Sequence, residues 1–228
     1  MLFKSGLITQ GSGSVGGLTL SRGRSGMYFR GRAMPVNPGT AYQASVRAAM
    51  AQLAVGWNDL LTADQRAAWA AYAAQVSMTN KLGDPVFLTG MNHYIRSNVA
   101  RLQVGLDRVD DAPIIYNVGQ FTEPTLSIVT ADDDVSVAFD NTDEWANEAD
   151  SALLVFGSVP KSLTIGYFKG PYQYLGAVAG DAVTPPTSPA AFDLHAPIAV
   201  GQKAFFRTVV TRADGRYSYP IYDEAEAF

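Results

Sequence analysis

The sequence predicts an α+β protein: an N-terminal β-hairpin arm, a small domain of about three helices, and a C-terminal antiparallel β-sandwich. Three observations point there. Residues 11–39 hold eight glycines, four arginines and no acidic residue. Apolar residues then recur at helical spacing over residues 37–105. From residue 122 onward, short β-branched and aromatic runs alternate with turn residues. The expected divisions are an arm over 1–36, a helical domain over 37–105, a linker over 106–121 and a sandwich over 122–228.

In the arm, "GLTLSR", "GRSG" and "MYFRGR" read as two strands around a turn. Its glycines each lose much backbone entropy on folding, and its apolar side chains are few. Such a hairpin is expected to pack on something else. "NPGT" then supplies helix-start signals, with Asn37 or Thr40 as the cap. Val46, Met50, Leu53, Trp57 and Leu60 form one apolar helix stripe. Thr62-Ala-Asp-Gln65 is a capping box opening a second helix, whose inner face is Trp69, Tyr72, Ala73 and Val76. "VFLTG" is a brief extended piece. A third helix follows a Thr89 cap and ends at Gly105, with Met91, Tyr94, Ile95 and Leu102 apolar.

Asp110, Asp111 and Pro113 mark the linker. Beyond it the expected strands are "TLSIVT", "DVSVAFD", "ALLVFGS", "LTIGYFK", "YQYLGAV", "KAFFRTVVTR" and "RYSYPIY". Asp214-Gly215 between two such runs signals a hairpin turn, since that turn needs positive φ.

Charge divides the chain. Residues 1–58 carry six basic side chains and no acid, whereas residues 105–228 carry eighteen acids against seven bases. The two ends therefore suit different neighbours, or the opposite ends of sister copies. Cysteine is absent, which excludes disulfides and thiolate chemistry. "MLFKSGLITQ" does not read as a signal peptide, and no apolar run approaches the ~20 residues that span a bilayer. No membrane partner is expected.

Chemical motifs fail one by one. Gly11, Gly13 and Gly16 satisfy G-x-G-x-x-G, but a strand follows where a dinucleotide site needs a helix, and the later acid is missing. A kinase-type loop would need a nearby strand lysine, yet the next after Lys4 is Lys81. His93 and His195 are far apart and read as partly exposed polar residues. Asp132–Asp134 lack calcium-loop spacing and read as a solvated turn. No G-x-S-x-G elbow exists. No catalytic, cofactor-binding or metal-binding residue is expected. The arginines could bind phosphates, but the acidic remainder of the chain would repel nucleic acid, and protein contact is the expected role. Trp57, Trp69, Tyr72 and Tyr94 are expected in the core.

One resemblance extends this reading. Ser21, Arg22, Arg24 and Gly26 fall in a G-x-x-x-x-S-R-x-R-x-G pattern, and Pro35, Asn37, Pro38, Thr40 and Gln43 in P-x-N-P-x-T-x-x-Q. Trp57, Leu60, Arg66, Trp69, Tyr72 and Ala73 follow as W-x-x-L…R-x-A-W-x-x-Y-A, then Gly90 and Asn98. Residues 11–105 thereby resemble uncharacterised virion structural proteins of tailed bacteriophages. The C-terminal part is similar in strand count to immunoglobulin or fibronectin type III modules, without their two cysteines. The resemblance implies a non-enzymatic virion protein, foremost a head decoration or cement protein. A neck or tail component and a carbohydrate-binding adhesion module are alternatives, the last favoured if Trp145, Tyr172 and Tyr174 are exposed on one face. Major capsid protein, other virion proteins and sister copies are the implied partners, and the virion the implied location. Arg22, Arg24, Tyr28, Phe29, Arg30, Arg32, Asn37 and Pro38 are the interface candidates.

Overall fold

The computed structural model describes residues 11–23, 26–34, 36, 39–79, 84–117, 121–130 and 133–227. The chain forms two compact units divided at Gln43.

The first unit contains a three-stranded meander: β1 (Gly13–Val15), β2 (Leu18–Gly23) and β3 (Gly26–Gly31), in that order. The expected hairpin is β2–β3, paired from Leu18↔Gly31 to Gly23↔Gly26. β1 is an additional strand, joined to β2 by a tight turn at Gly16-Gly17. Gly16 takes φ +57°, a left-handed conformation that a side chain would oppose. Pairing sorts the side chains by face. Leu20 lies opposite Phe29, and Thr19 and Ser21 lie opposite Arg30 and Tyr28 on the other face.

α1 (Ala41–Val55) starts after Thr40, whose Oγ1 accepts from Gln43 N at 3.2 Å. Asn37, the other cap candidate, lies outside the described residues. A π-helical turn at Gly56–Leu60 closes the helix, with Leu61 N donating to Gly56 O at 3.0 Å. This turn corrects the expected stripe. Leu53 is buried and Trp57 partly so, but Met50 is exposed and Leu60 is 61% exposed. The wider turn inserts one residue into the helical period and carries Leu60 off the packed face. Gly56 permits this close passage, since a Cβ there would lie 3.0 Å from both Tyr94 Oη and Arg108 Nη1.

α2 (Ala63–Gln75) opens with the expected capping box. Gln65 N donates to Thr62 Oγ1 at 3.2 Å, and Thr62 N donates to Gln65 Oε1 at 2.9 Å. Trp69, Tyr72, Ala73 and Val76 are all buried. A short ribbon, β4 (Ser77–Thr79) with β5 (Pro85–Phe87), leads to α3 (Gly90–Gln103), capped by Thr89 and followed by Gly105 at φ +79°. Tyr94 is buried with Leu53 and Trp69, while Ile95 and Leu102 pack at the margin of that core.

Residues 106–112, expected as a linker, are strapped along the helices. Trp69 Nε1 donates to Asp110 O at 2.9 Å. Asn98 donates through Nδ2 to Val109 O at 3.0 Å and accepts at Oδ1 from Val109 N at 2.7 Å. Arg101 Nε donates to Asp107 O at 2.8 Å.

The remaining strands build an antiparallel sandwich. One sheet runs β11 (Ala190–Asp193), β7 (Asp134–Ala138), β6 (Thr125–Val129). The other runs β10 (Gln173–Ala179), β8 (Ala152–Gly157), β12 (Gln202–Thr211), β13 (Ile221–Glu226), with β9 (Lys161–Ser162) also on β12. The chain crosses between sheets after β7, β10 and β11, giving a Greek-key arrangement like that of an immunoglobulin or fibronectin type III sandwich, with three strands in one sheet and five in the other. Val135, Val137, Leu153, Val155, Ala204 and Phe206 fill the space between the sheets. Trp145 joins this core, its ring 5.2 Å from Phe139 and tilted 58° to it.

Three strand expectations change. "RYSYPIY" gives only its last two residues to a strand, β13, which runs on to Glu226. "LTIGYFK" is a loop after β9, with Leu163, Ile165 and Tyr167 exposed. "AAFD" at 190–193, by contrast, is a strand, anchored along β7.

α3 covers one end of the outer face of the larger sheet. Ala100 packs with Ala152, Leu154 and Val209, and Val104 and Leu106 flank them. The Asp214-Gly215 turn is present, with Gly215 at φ +87°. Beside it α3 makes its firmest contacts. Arg96 donates to Tyr217 O and Ser218 O at 3.1 and 3.0 Å and lies 4.4 Å over the Tyr217 ring. Arg101 Nη1 donates to Arg212 O and Asp150 O at 2.7 and 2.9 Å.

Candidate functional site

The interface candidates lie on different parts of the arm. Arg22 on β2 faces Met27 across the hairpin. Tyr28, Phe29 and Arg30 follow one another on β3, so Phe29 lies on one face and Tyr28 with Arg30 on the other. Arg32 is exposed just past β3, its N–H bound to Gly17 O at 2.9 Å. Arg24, Asn37 and Pro38 lie outside the described residues. Between residues 11 and 52 no described side chain is fully buried, and Val15 is 87% exposed. Tyr42, Met50 and Val55 on α1 are exposed as well.

His93 corrects an expectation. It is only 1% exposed, packed edge-on against Tyr72 at 5.4 Å, and its Nε2 has no hydrogen-bond partner. Burial and the neighbouring Arg96 cation push its pKa below the ordinary 6.5. The cause is Gly90. A Cβ there would sit 2.8 Å from Ala70 N, so α3 approaches α2 nearly backbone to backbone and encloses the next turn. Tyr72 and Tyr94 beside it are raised to about 12, mainly by burial. His195 is exposed, its Nε2 2.8 Å from Tyr174 O.

The aspartate turn is structural. Asp133 takes φ 56°, its Oδ1 accepts from Ile198 N at 2.8 Å, and its carbonyl accepts from Leu194 N at 2.9 Å. Among the described residues, no group of three His, Cys, Asp or Glu is placed to hold a metal ion. Likewise, no described helix is long and apolar enough to cross a membrane. The G-x-G-x-x-G glycines run into β1 and its turn, and among the described residues a strand, not a helix, follows them.

One concave site emerges that no short motif announces. The 163–172 loop folds over the end of the larger sheet left uncovered by α3, and encloses a cleft of about 760 Å³. Tyr167, Phe168, Tyr172, Tyr222, Asp223 and Glu224 line it, with Lys169 at its lip and Phe205 at its floor. Phe168 stacks on Phe205 at 5.5 Å and meets Tyr172 edge-on at 5.3 Å. Tyr172 donates its hydroxyl to Phe168 O at 3.0 Å and faces Tyr222 at 5.8 Å with a 45° tilt. Burial and the neighbouring Tyr222 and Tyr167 raise the Tyr172 pKa. Glu224 is held by Lys203 at 2.9 Å. The sequence pattern marks much of this loop as a strand, and only the fold brings these rings together.

Of the aromatics singled out for glycan binding, Trp145 is 1% exposed and belongs to the sandwich core, so it offers no surface. Tyr172 opens on the cleft. Tyr174 packs against Phe156 at 5.5 Å under the same sheet face.

No protein-family model and no curated protein matches the sequence. Among solved structures, a family 76 glycoside hydrolase from a bovine Bacteroides thetaiotaomicron strain is similar at a TM-score of 0.33 and 11% identity. The likeness covers 47% of this chain and 20% of the hydrolase, and at that level it bears on neither fold nor activity.

Proposed function

We propose that the chain is a non-enzymatic structural protein of a tailed-bacteriophage virion, foremost a head decoration protein. The arm and the open side of α1 bind major capsid protein or sister copies, and the joint gains strength from the apolar surface buried there. One observation carries this reading. The stretch from residue 11 to 52 is rich in apolar and arginine side chains, yet none of the described ones is buried. The rest of the chain buries three clusters of its own. A segment of that kind reaches its burial in an assembly. The bacteriophage class rests on the motif resemblance over residues 11–105.

The test is binding to purified heads. Full-length protein should saturate them at a copy number in the hundreds, whereas protein lacking residues 1–36 should stay in the supernatant while keeping its circular dichroism. Full binding by the truncated chain overturns the arm's role. Saturation at tens of copies or fewer moves the protein to the neck or tail. The aromatic cleft favours a second reading, glycan adhesion, which a glycan array tests directly.

A further inference from the structure

We infer that the aromatic cleft takes an acidic saccharide, its rings holding the sugar and the cations around them holding its carboxylate, sulfate or phosphate group. This rests on the second reading, glycan adhesion, and names the class of glycan. It is independent of what the arm binds.

The cations carry the inference. Residues 105–228 hold seven basic side chains against eighteen acids, so acids outnumber the cations they can pair with. Four of the cations are matched: Arg108 to Asp110, Lys203 to Glu224, Arg212 to Glu144 and Glu148, and Arg216 to Asp214. Among the described residues Lys161, Lys169 and Arg207 make no ion pair. All three surround the cleft. Lys169 is part of its lining. Lys161 Nζ lies 5.2 Å from the ring centre of Phe168. Arg207 shares a face of β12 with Phe205, two residues away, and stands directly opposite Tyr222 on β13.

Arg207 is the cation its own chain satisfies least. It is half-buried, its guanidinium carbon lies 4.0 Å from the ring centre of Phe156, and its Nε is buried with no hydrogen-bond partner among the described residues. The ring face offsets part of the cost of withdrawing that charge from water but supplies no opposite charge. An anionic ligand supplies it, through the guanidinium's remaining donors. With Lys203, four cations stand here against Asp223 and Glu224 in the lining and Glu226 further along β13. The cleft is thus a basic spot on the acidic end of the chain, and that field favours an anion.

The remaining lining suits a sugar. The cleft, at about 760 Å³, falls within the ~300–1,000 Å³ of small-molecule sites. Tyr167 is 77% exposed and Tyr222 59%, so both can offer a ring face to the C–H face of a pyranose. Asp223 and Glu224 are acceptors for its hydroxyls. A nucleotide fits less well. The rings stand at 45° and 81° to one another, with no parallel pair to sandwich a base, and its several phosphates would meet the two carboxylates. An apolar tail would leave acids and cations alike unused.

The experiment is an array of glycans bearing uronic acid, sialic acid, sulfate or phosphate, each beside its neutral parent, probed with the full chain. The tightest pair is then titrated by calorimetry. An acidic member should bind at least about tenfold more tightly than its neutral parent, and lose affinity as salt is raised. Arg207→Gln should remove most of that preference. Lys161→Ala with Lys169→Ala, both outside the cores, should reduce it and flatten the salt dependence; this pair keeps the test decisive if Arg207→Gln lowers the melting temperature. Tyr167→Ala with Tyr222→Ala should weaken acidic and neutral members alike. Cation variants that bind like the parent overturn the inference. Neutral parents that bind equally well through the two tyrosines overturn it too, while glycan adhesion stands. If no glycan binds, both fall. Binding of adenosine triphosphate through Tyr222, with no glycan bound, replaces the saccharide by a nucleotide and overturns both as well.

Discussion

The arm and the body are made of the same twenty residue types but solve burial differently. The body closes three apolar clusters within one chain, around Leu53 and Trp69, around Val135 and Phe206, and around Leu154 and Val209. The arm satisfies its backbone in a three-stranded meander and leaves its side chains at or near the surface. Backbone pairing alone is enough to draw strands together. It is not enough to stabilise a small sheet without a face to bury. The difference teaches that stability resides in the body, where the apolar side chains are buried.

Substitutions can sharpen that contrast. The largest effect is expected at Gly180. A Cβ there would overlap Trp145 O and Ser151 Oγ and reach within 2.7 Å of Glu148 O. Gly180→Ala should cost upward of about 3 kcal/mol, measured by urea unfolding, since backbone carbonyls cannot retreat cheaply. A stable Gly180→Ala protein would show that this corner is looser than described.

Arg101→Met comes next. It strips three carbonyls, of Asp107, Asp150 and Arg212, of their common donor, where helix, strap and sandwich meet. A loss of about 3 kcal/mol is expected, with the helical and sandwich transitions beginning to separate in calorimetry. A single unshifted transition would mean that the layers cohere without it.

His93 sets a smaller, pH-dependent effect. Its folded pKa lies below 6.5, so the unfolded chain takes up a proton that the folded one resists. Its contribution is fully present above pH 6.5 and is lost as pH falls from there toward the folded pKa. The melting temperature should therefore drop on acidification from pH 7 to 5, and His93→Phe should flatten that part of the curve. An identical slope in the variant would assign it to other groups.

The smallest effect belongs to the arm. Removing residues 1–36 should change the stability of the body by no more than about 0.5 kcal/mol. A larger loss would break the comparison, because the arm would then be sharing the body's core.

Much of this was legible in the residues. Thr62 and Gln65 announce the start of α2 because a capping box is local chemistry, four residues long. Thr89 and Gly105 bracket α3 for the same reason. β6, β7, β8, β10 and β12 follow from short alternating or apolar runs, and the Asp214-Gly215 turn from its need for positive φ. Other features were not legible. The polar face of α3, with His93, Ser97, Asn98 and Arg101 all buried, looks solvent-facing until the strap and the β12–β13 turn supply partners. Leu60 looks like core until the π turn moves it. The cleft leaves no motif, since Tyr167, Tyr172 and Tyr222 come from a loop and a distant strand.

By itself, then, the sequence determined the α+β class, the three-helix and sandwich order, the helix caps, and the basic-to-acidic polarity of the chain. Each of these depends on neighbours within a turn or two, or on composition. Tertiary structure alone decided that α3 covers one end of the outer face of the larger sheet, that Trp145 is core, that His93 is enclosed, and that five aromatic rings share one cleft. Those depend on which distant surfaces meet. Burial and pairing between residues up to a hundred or more positions apart, as between Arg96 and Tyr217, leave no periodic trace in the chain.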